Sequence, residues 1–78
     1  MTRATLQALG DGRFRLTGDL DYETVQPLLE DDDILFSGEP ERIEIDLAGV
    51  GRSTSVGLAL MLEWLRQSQA RNVAIRFN

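Results

Sequence analysis

The most constraining feature of the sequence is a strand–helix–strand pattern in its second half. Arg42–Leu47 and Val73–Phe77 alternate apolar and polar side chains, which predicts two strands that each bury one face. Between them, Val56–Ala70 has the apolar spacing of a helix. Two strands joined by a helix are usually parallel neighbours connected by a right-handed crossover. The second half therefore predicts an α/β fold.

The first half predicts two more strands and a helix. Thr5–Ala8 and Arg13–Thr17 are strand-like, and the glycine-containing segment Leu9–Gly12 between them is typical of a hairpin turn. A helix is predicted to begin near Thr24, whose hydroxyl can cap the first turn, with Pro27 inside that turn. The predicted order is β-β-α-β-α-β, a mixed sheet with helices packed on one face.

Two segments are predicted to be connections. Asp31–Pro40 is first acidic and then contains glycine and proline, so it is predicted to be a loop, and Ala48–Ser53 is predicted to be a tight connection. The acidic run Asp31–Asp33 lacks the spacing of a calcium loop, so it is interpreted as a solvated helix end.

The second predicted helix has two groups of large apolar residues. Leu60 and Trp64 lie off the predicted core stripe, so both are candidates for a surface contact, although a buried Trp64 that closes one end of the core is an equal alternative. The residues predicted to face the core are Leu58, Met61, Leu62 and Leu65.

Composition limits the classes of function. The chain has 78 residues, which predicts a single domain over residues 1–78, and its net charge of −5 disfavours nucleic acid as a partner. It has no cysteine, histidine or lysine, so thiolate metal sites, Ser-His or Cys-His pairs and Schiff bases are all excluded. No apolar run approaches the roughly 20 residues of a membrane span. We therefore expect a cytoplasmic, non-enzymatic protein without a cofactor, stabilised by a partner or as a homodimer.

Hydroxyl side chains cluster where the second helix begins. Thr54 or Ser55 can cap that helix, and the free N–H groups of a helix N-terminus also favour phosphate. From the residue types alone, capping is the simpler interpretation. The glycines before the cluster form neither a dinucleotide-binding motif nor a phosphate-binding loop, so a nucleotide site is poorly supported.

This region carries a family resemblance. Asp46–Val50 followed by Thr54–Leu62 resembles the strand, loop and Asp-Ser/Thr-x-Gly-Leu-Ala helix start of STAS domains (sulfate transporter and anti-sigma antagonist). Leu16–Asp21 and Val25–Leu28 resemble the second strand, turn and first helix of that family. The family normally continues into a further helix after the last strand, and this sequence stops at Asn78. The resemblance therefore implies a STAS-like fold whose C-terminal helix is missing.

The resemblance also implies a function. MlaB-like members bind the ATPase of an ABC phospholipid-trafficking transporter, which implies a cytoplasmic accessory subunit held at the inner face of the membrane by its partner. The implied partner-binding residues are Arg52, Thr54, Ser55 and Leu60.

The alternative function is an anti-sigma-factor antagonist whose partner is a kinase. Ser55 matches the serine or threonine that is phosphorylated in those proteins, whereas Thr54 replaces the aspartate that usually precedes it.

Overall fold

The computed structural model describes residues 3–30 and 32–78. Within these ranges four strands form one sheet in the order β1-β2-β3-β4, where β1 is Thr5–Gly10, β2 is Arg13–Leu20, β3 is Arg42–Ser53 and β4 is Ala74–Phe77. The β1–β2 pair is antiparallel, and the β2–β3 and β3–β4 pairs are parallel. The predicted mixed sheet and its order of elements are confirmed.

One face of the sheet forms the core. On β2, Phe14 and Leu16 are buried, whereas Arg13 and Arg15 on the other face are exposed. Helix α1 (Tyr22–Glu30) and helix α2 (Ser55–Ala70) both pack against the buried face. The other face is polar, and Arg15 forms an ion pair with Asp46 there at 3.7 Å.

Strand β3 is longer than predicted, because Ala48–Ser53 continues the strand instead of turning away from it. Its pairing with β2 shifts register twice, between Arg15 and Thr17 and between Gly18 and Leu20. Such irregularities let a strand bend and twist without ending. The two glycines of this segment lie where the register shifts, and the prediction of a tight connection was wrong.

Helix α1 begins at Tyr22, earlier than predicted, because Asp21 provides its cap. The Asp21 carboxylate accepts hydrogen bonds from the backbone N–H groups of Glu23 and Thr24, both at 3.0 Å. The buried Thr24 hydroxyl accepts the N–H of Asp21 in return at 2.9 Å. This reciprocal arrangement is a capping box, so Thr24 supports the cap from inside the helix.

The predicted loop after α1 contains a 3-10 helix, Asp32–Phe36. Its last two residues, Leu35 and Phe36, are buried in the core, and the guanidinium of Arg71 lies 4.5 Å from the Phe36 ring centroid. Through this contact the 3-10 helix packs against the C-terminal end of α2. Asp31, the first residue of the predicted acidic helix end, lies outside the described residues.

Helix α2 is rotated on the sheet relative to the prediction, and Met61 is the one predicted core residue that stays half-buried. Leu60 and Trp64 are fully buried, at 1% and 0% exposure, and Gly57 and Ser68 complete the buried face. Leu58, Leu62 and Leu65, which were predicted to face the core, are exposed. The interpretation of Leu60 as a surface residue was therefore wrong. For Trp64, the alternative of a buried position is the correct one.

Neither helix of the described ranges has the length and apolarity needed to cross a bilayer.

Candidate protein-binding site on the second helix

The end of β2 holds the segment that leads into α2. The Asp19 carboxylate accepts the backbone N–H of Arg52 at 2.9 Å. The carbonyl of Leu20 accepts the backbone N–H of Thr54 at 2.9 Å and its hydroxyl at 3.3 Å. Because these bonds join residues more than thirty positions apart, the start of α2 has a fixed position on the sheet.

Thr54 is the N-cap of α2. Its backbone is extended, and its hydroxyl accepts the N–H of Val56 at 3.2 Å. This bond satisfies one of the N–H groups that a helix start leaves free. Of the two hydroxyl residues that could cap the helix, the cap is Thr54, and its side chain is occupied by that role.

Ser55, the next residue, is exposed at the first position of α2. Its hydroxyl makes no side-chain hydrogen bond to any residue that the structure describes. The side chain of Arg52 is also exposed, two residues before the cap. Ser55 and Arg52 thus present polar groups to solvent on either side of Thr54.

Gly57 sets the rotation of α2 on the sheet. A side-chain carbon at this position would lie 3.0 Å from Cβ and 3.1 Å from Cδ1 of Leu20, and it would overlap the Ser53 hydroxyl. Glycine at this position lets the first turn approach β2 this closely without displacing Leu20 or Ser53. The helix therefore faces the core with the residues that follow Gly57 at helical spacing, namely Leu60 and Trp64.

This rotation leaves one serine and three leucines exposed on another side of the helix. We call this row the α2 stripe: Ser55, Leu58, Leu62 and Leu65. Their spacings of three, four and three residues place them on one side of the helix. Leu58 and Leu62 are 58% and 56% exposed, and Leu65 is 36% exposed. The stripe joins Ser55 to a continuous row of leucine side chains. Leu60, which was predicted to contact a partner, is 1% exposed and lies on the other side of the helix.

A charged pair stands beside the stripe. The Arg66 guanidinium donates to both carboxylate oxygens of Glu63, at 2.9 and 2.7 Å. These bonds, with a smaller contribution from Gln67, lower the pKa of Glu63 to about 2, and they raise the pKa of Arg66. The pair fixes a polar border along the leucines.

Among the residues that the structure describes, no group of three or more carboxylate side chains comes together in a way that could hold a metal ion. The exposed groups of the site are one arginine, two hydroxyls and three leucines. Such a set is suited to shape complementarity, apolar contact and hydrogen bonding.

Comparison with known families agrees with this description. The family model described as "Mlab, STAS domain" matches residues 4–78, which is nearly the whole chain. The chain belongs to the STAS domain family. STAS domains are protein-interaction modules and are generally non-enzymatic.

Solved structures with the same fold include those of a much larger protein, Mglu. One is 26% identical with a TM-score of 0.69, and the match covers 95% of this chain and 19% of that chain. The L-glutamate binding form of Mglu in 4.3 M NaCl is 19% identical with a TM-score of 0.56, over 94% of this chain and 25% of that chain. This chain thus spans about a fifth to a quarter of the Mglu chains. A search of curated proteins found no match.

Proposed function

We propose that this STAS domain is a non-enzymatic adaptor that binds the ATPase subunit of an ABC phospholipid-trafficking transporter. The contact is formed by the α2 stripe together with Arg52, and Thr54 holds the start of the helix in position. The partner holds the domain at the cytoplasmic face of the membrane. The observation that carries the proposal is the row of exposed leucines that begins beside the free Ser55 hydroxyl.

The leucines supply the binding energy in this proposal. Fully burying a leucine side chain is worth about 1.5–3 kcal/mol, and Leu58 and Leu62 each keep more than half of their surface available. A helix with apolar anchors three, four and seven positions apart is suited to a groove on a partner. Leu58, Leu62 and Leu65 have this arrangement.

The residues before the stripe supply orientation. Ser55 can donate and accept a hydrogen bond at the rim of the contact, and Arg52 adds a cation. Thr54 acts indirectly, because its cap and its bonds to Leu20 fix the direction in which Ser55 points. Polar groups at a rim select the partner and its orientation more than they add affinity.

The adaptor works by mass action. A module that binds the folded ATPase and not its unfolded form stabilises the folded state by RT ln(1 + c/Kd), where c is the module's concentration, so the stabilisation grows with the logarithm of c once c exceeds Kd. The likeness to MlaB-type domains supports a lipid transporter as the assembly in which this happens. No step of chemistry is assigned to this chain.

The proposal is tested by affinity capture with this chain as bait in extract of its native cell, read by mass spectrometry. We expect an ABC-type ATPase together with its membrane permease, and we expect Leu62→Ser to lose both. Leu29→Ser is the matched control, because Leu29 is a 38% exposed leucine on α1. Capture that is equal for both variants would contradict the assignment of the contact to α2.

A second function is favoured by one observation, the exposed Ser55 hydroxyl at the start of α2. In an anti-sigma-factor antagonist this hydroxyl would be phosphorylated by a partner kinase, and the helix N-terminus would stabilise the added negative charge. Co-expression with a kinase captured from the same extract tests this function. If this function is correct, the chain gains the mass of one phosphate group. The Ser55→Ala variant should not gain this mass, and the control variant Ser53→Ala should still gain it.

A further inference from the structure

The two edges of the sheet differ in how they are protected. Edge strand β4 is four residues long and carries the exposed Arg76 in its middle. Edge strand β1 is six residues long and contains neither charge nor proline from Thr5 to Gly10. Natural sheets block free edges with charges, prolines or short strands, because an open edge pairs with other strands. Within the described chain, β4 has such protection and β1 has much less.

An open groove with a mixed polar and apolar lining runs along the helix-facing side of β1. It has a volume of about 620 Å³ and separates β1 from α1 and the 3-10 helix. Ile34 of the 3-10 helix borders it and is 40% exposed. The rest of its lining is Arg3, Ala4, Thr5, Leu6, Pro27 and Leu28. A strand added to the β1 edge would cover this groove.

The charges at the two ends of β1 indicate which strand is added. Arg3 precedes the strand and Asp11 follows it, and neither forms an ion pair with a residue that the structure describes. In an antiparallel pair of two β1 strands centred on Gln7, Arg3 of each copy lies beside the hairpin turn of the other, which begins with Asp11. The register shift after Ala8 displaces that end by one residue, which lies within reach of an arginine side chain.

We propose that β1 pairs with β1 of a second copy of this chain, in antiparallel orientation with Gln7 on the two-fold axis. The four-stranded sheet thereby continues into the sheet of the partner. Leu6 of one copy lies opposite Ala8 of the other on the helix-facing side, next to the groove. Two Arg3–Asp11 contacts close the ends. This interface is isologous, and it uses none of the residues of the α2 stripe.

Cysteine cross-linking tests the pairing directly, because the natural chain has no cysteine. Gln7 is exposed, and at the two-fold axis the Cα atoms of its two copies lie about 4.5–5.5 Å apart, within the Cα separation that a disulfide spans. Under mild oxidation we expect Gln7→Cys to form a covalent dimer rapidly. The matched control is Gln26→Cys on an exposed position of α1, which should stay monomeric. Equal rates for the two variants would overturn the proposal.

Sedimentation analysis of the charge variants provides the second measurement. Arg3→Glu places two acids at each end of the strand pair and should weaken dimerisation about tenfold. Arg76→Glu makes the same change of charge on the opposite edge strand and should leave dimerisation unchanged. If the wild-type chain stays monomeric at millimolar concentration, the proposal is wrong. The β1 edge would then be available to pair with an extended segment of another protein. Equal weakening in both variants assigns the dimer to another surface and also overturns it.

Discussion

The two sides of α2 differ in what their apolar residues do. On the inner side, Leu60 and Trp64 are fully buried against the sheet. On the outer side, Leu58 and Leu62 keep more than half of their surface exposed. The helix is therefore apolar on two sides, although the fold requires only one. We infer that the inner side provides stability and that the outer side is available for binding.

The largest expected effect belongs to the inner side. Leu60→Ala removes a side chain that is 1% exposed, and a substitution of this kind costs about 2–5 kcal/mol. Urea unfolding followed by circular dichroism measures this loss, with an unchanged denaturant slope. A cost as small as that of Leu62→Ala would remove the distinction between the two sides.

The next largest effect belongs to the outer side and affects binding. Ser55→Glu places a carboxylate at the first position of α2, which the helix dipole favours, so the free energy of unfolding should stay within about 0.5 kcal/mol of the wild-type value. Binding to the ATPase should weaken at least about tenfold, because a larger and charged group meets the partner. Titration calorimetry with the captured ATPase measures the affinity. Unchanged affinity would exclude Ser55 from the contact.

A smaller effect is expected where Trp64 becomes phenylalanine. The indole N–H of Trp64 is buried and makes no hydrogen bond within the described part of the chain. Burying such an unpaired donor costs about 1–3 kcal/mol of stability, and phenylalanine has no such donor. The removal of this cost offsets much of the packing energy that is lost with the smaller phenylalanine ring. Trp64→Phe should therefore destabilise the domain less than Leu60→Ala in the same urea experiment. A larger loss would indicate that the indole has a partner.

The smallest effect is a pH dependence at the border between the two sides. Arg66 lowers the pKa of Glu63 from 4.5 to about 2 in the folded chain. A lowered folded pKa means that the stabilisation is present above the unfolded pKa and is lost as pH falls from about 4.5 to about 2. The wild type should have a slightly higher Tm than Glu63→Gln at pH 6, and this difference should vanish near pH 2. An equal difference at both pH values would exclude the ion pair as its cause.

Much of the fold follows from local patterns. The alternating residues of β2 and β3 predict their buried faces, and the glycine-containing segment before Arg13 predicts the hairpin. The start of α1 was misplaced because the Asp21 carboxylate caps the helix, whereas the prediction assigned the cap to the Thr24 hydroxyl. The 3-10 helix was missed because its two core residues follow an acidic run that resembles a solvated loop.

The orientation of α2 shows why periodicity alone is insufficient. Two apolar rows share this helix, and each has helical spacing, so the pattern does not distinguish the core side from the surface side. The distinguishing signal is Gly57, because a residue without a side chain marks the line of closest approach to the sheet. Counting from Gly57 selects Leu60 and Trp64 for the core. The predicted contact at Leu60 moves accordingly to Leu58 and Leu62.

Site-specific photo-crosslinking tests the central claim most directly. A photoreactive amino acid is placed at Leu62 on the outer side of α2, and in a separate variant at Arg15 on the polar face of the sheet. Both positions are exposed, so neither substitution disturbs the core. We predict a covalent product with the ABC ATPase from position 62 and none from position 15. A product from position 15 alone, or from neither position while the ATPase still binds, would contradict the assignment of α2 as the docking surface.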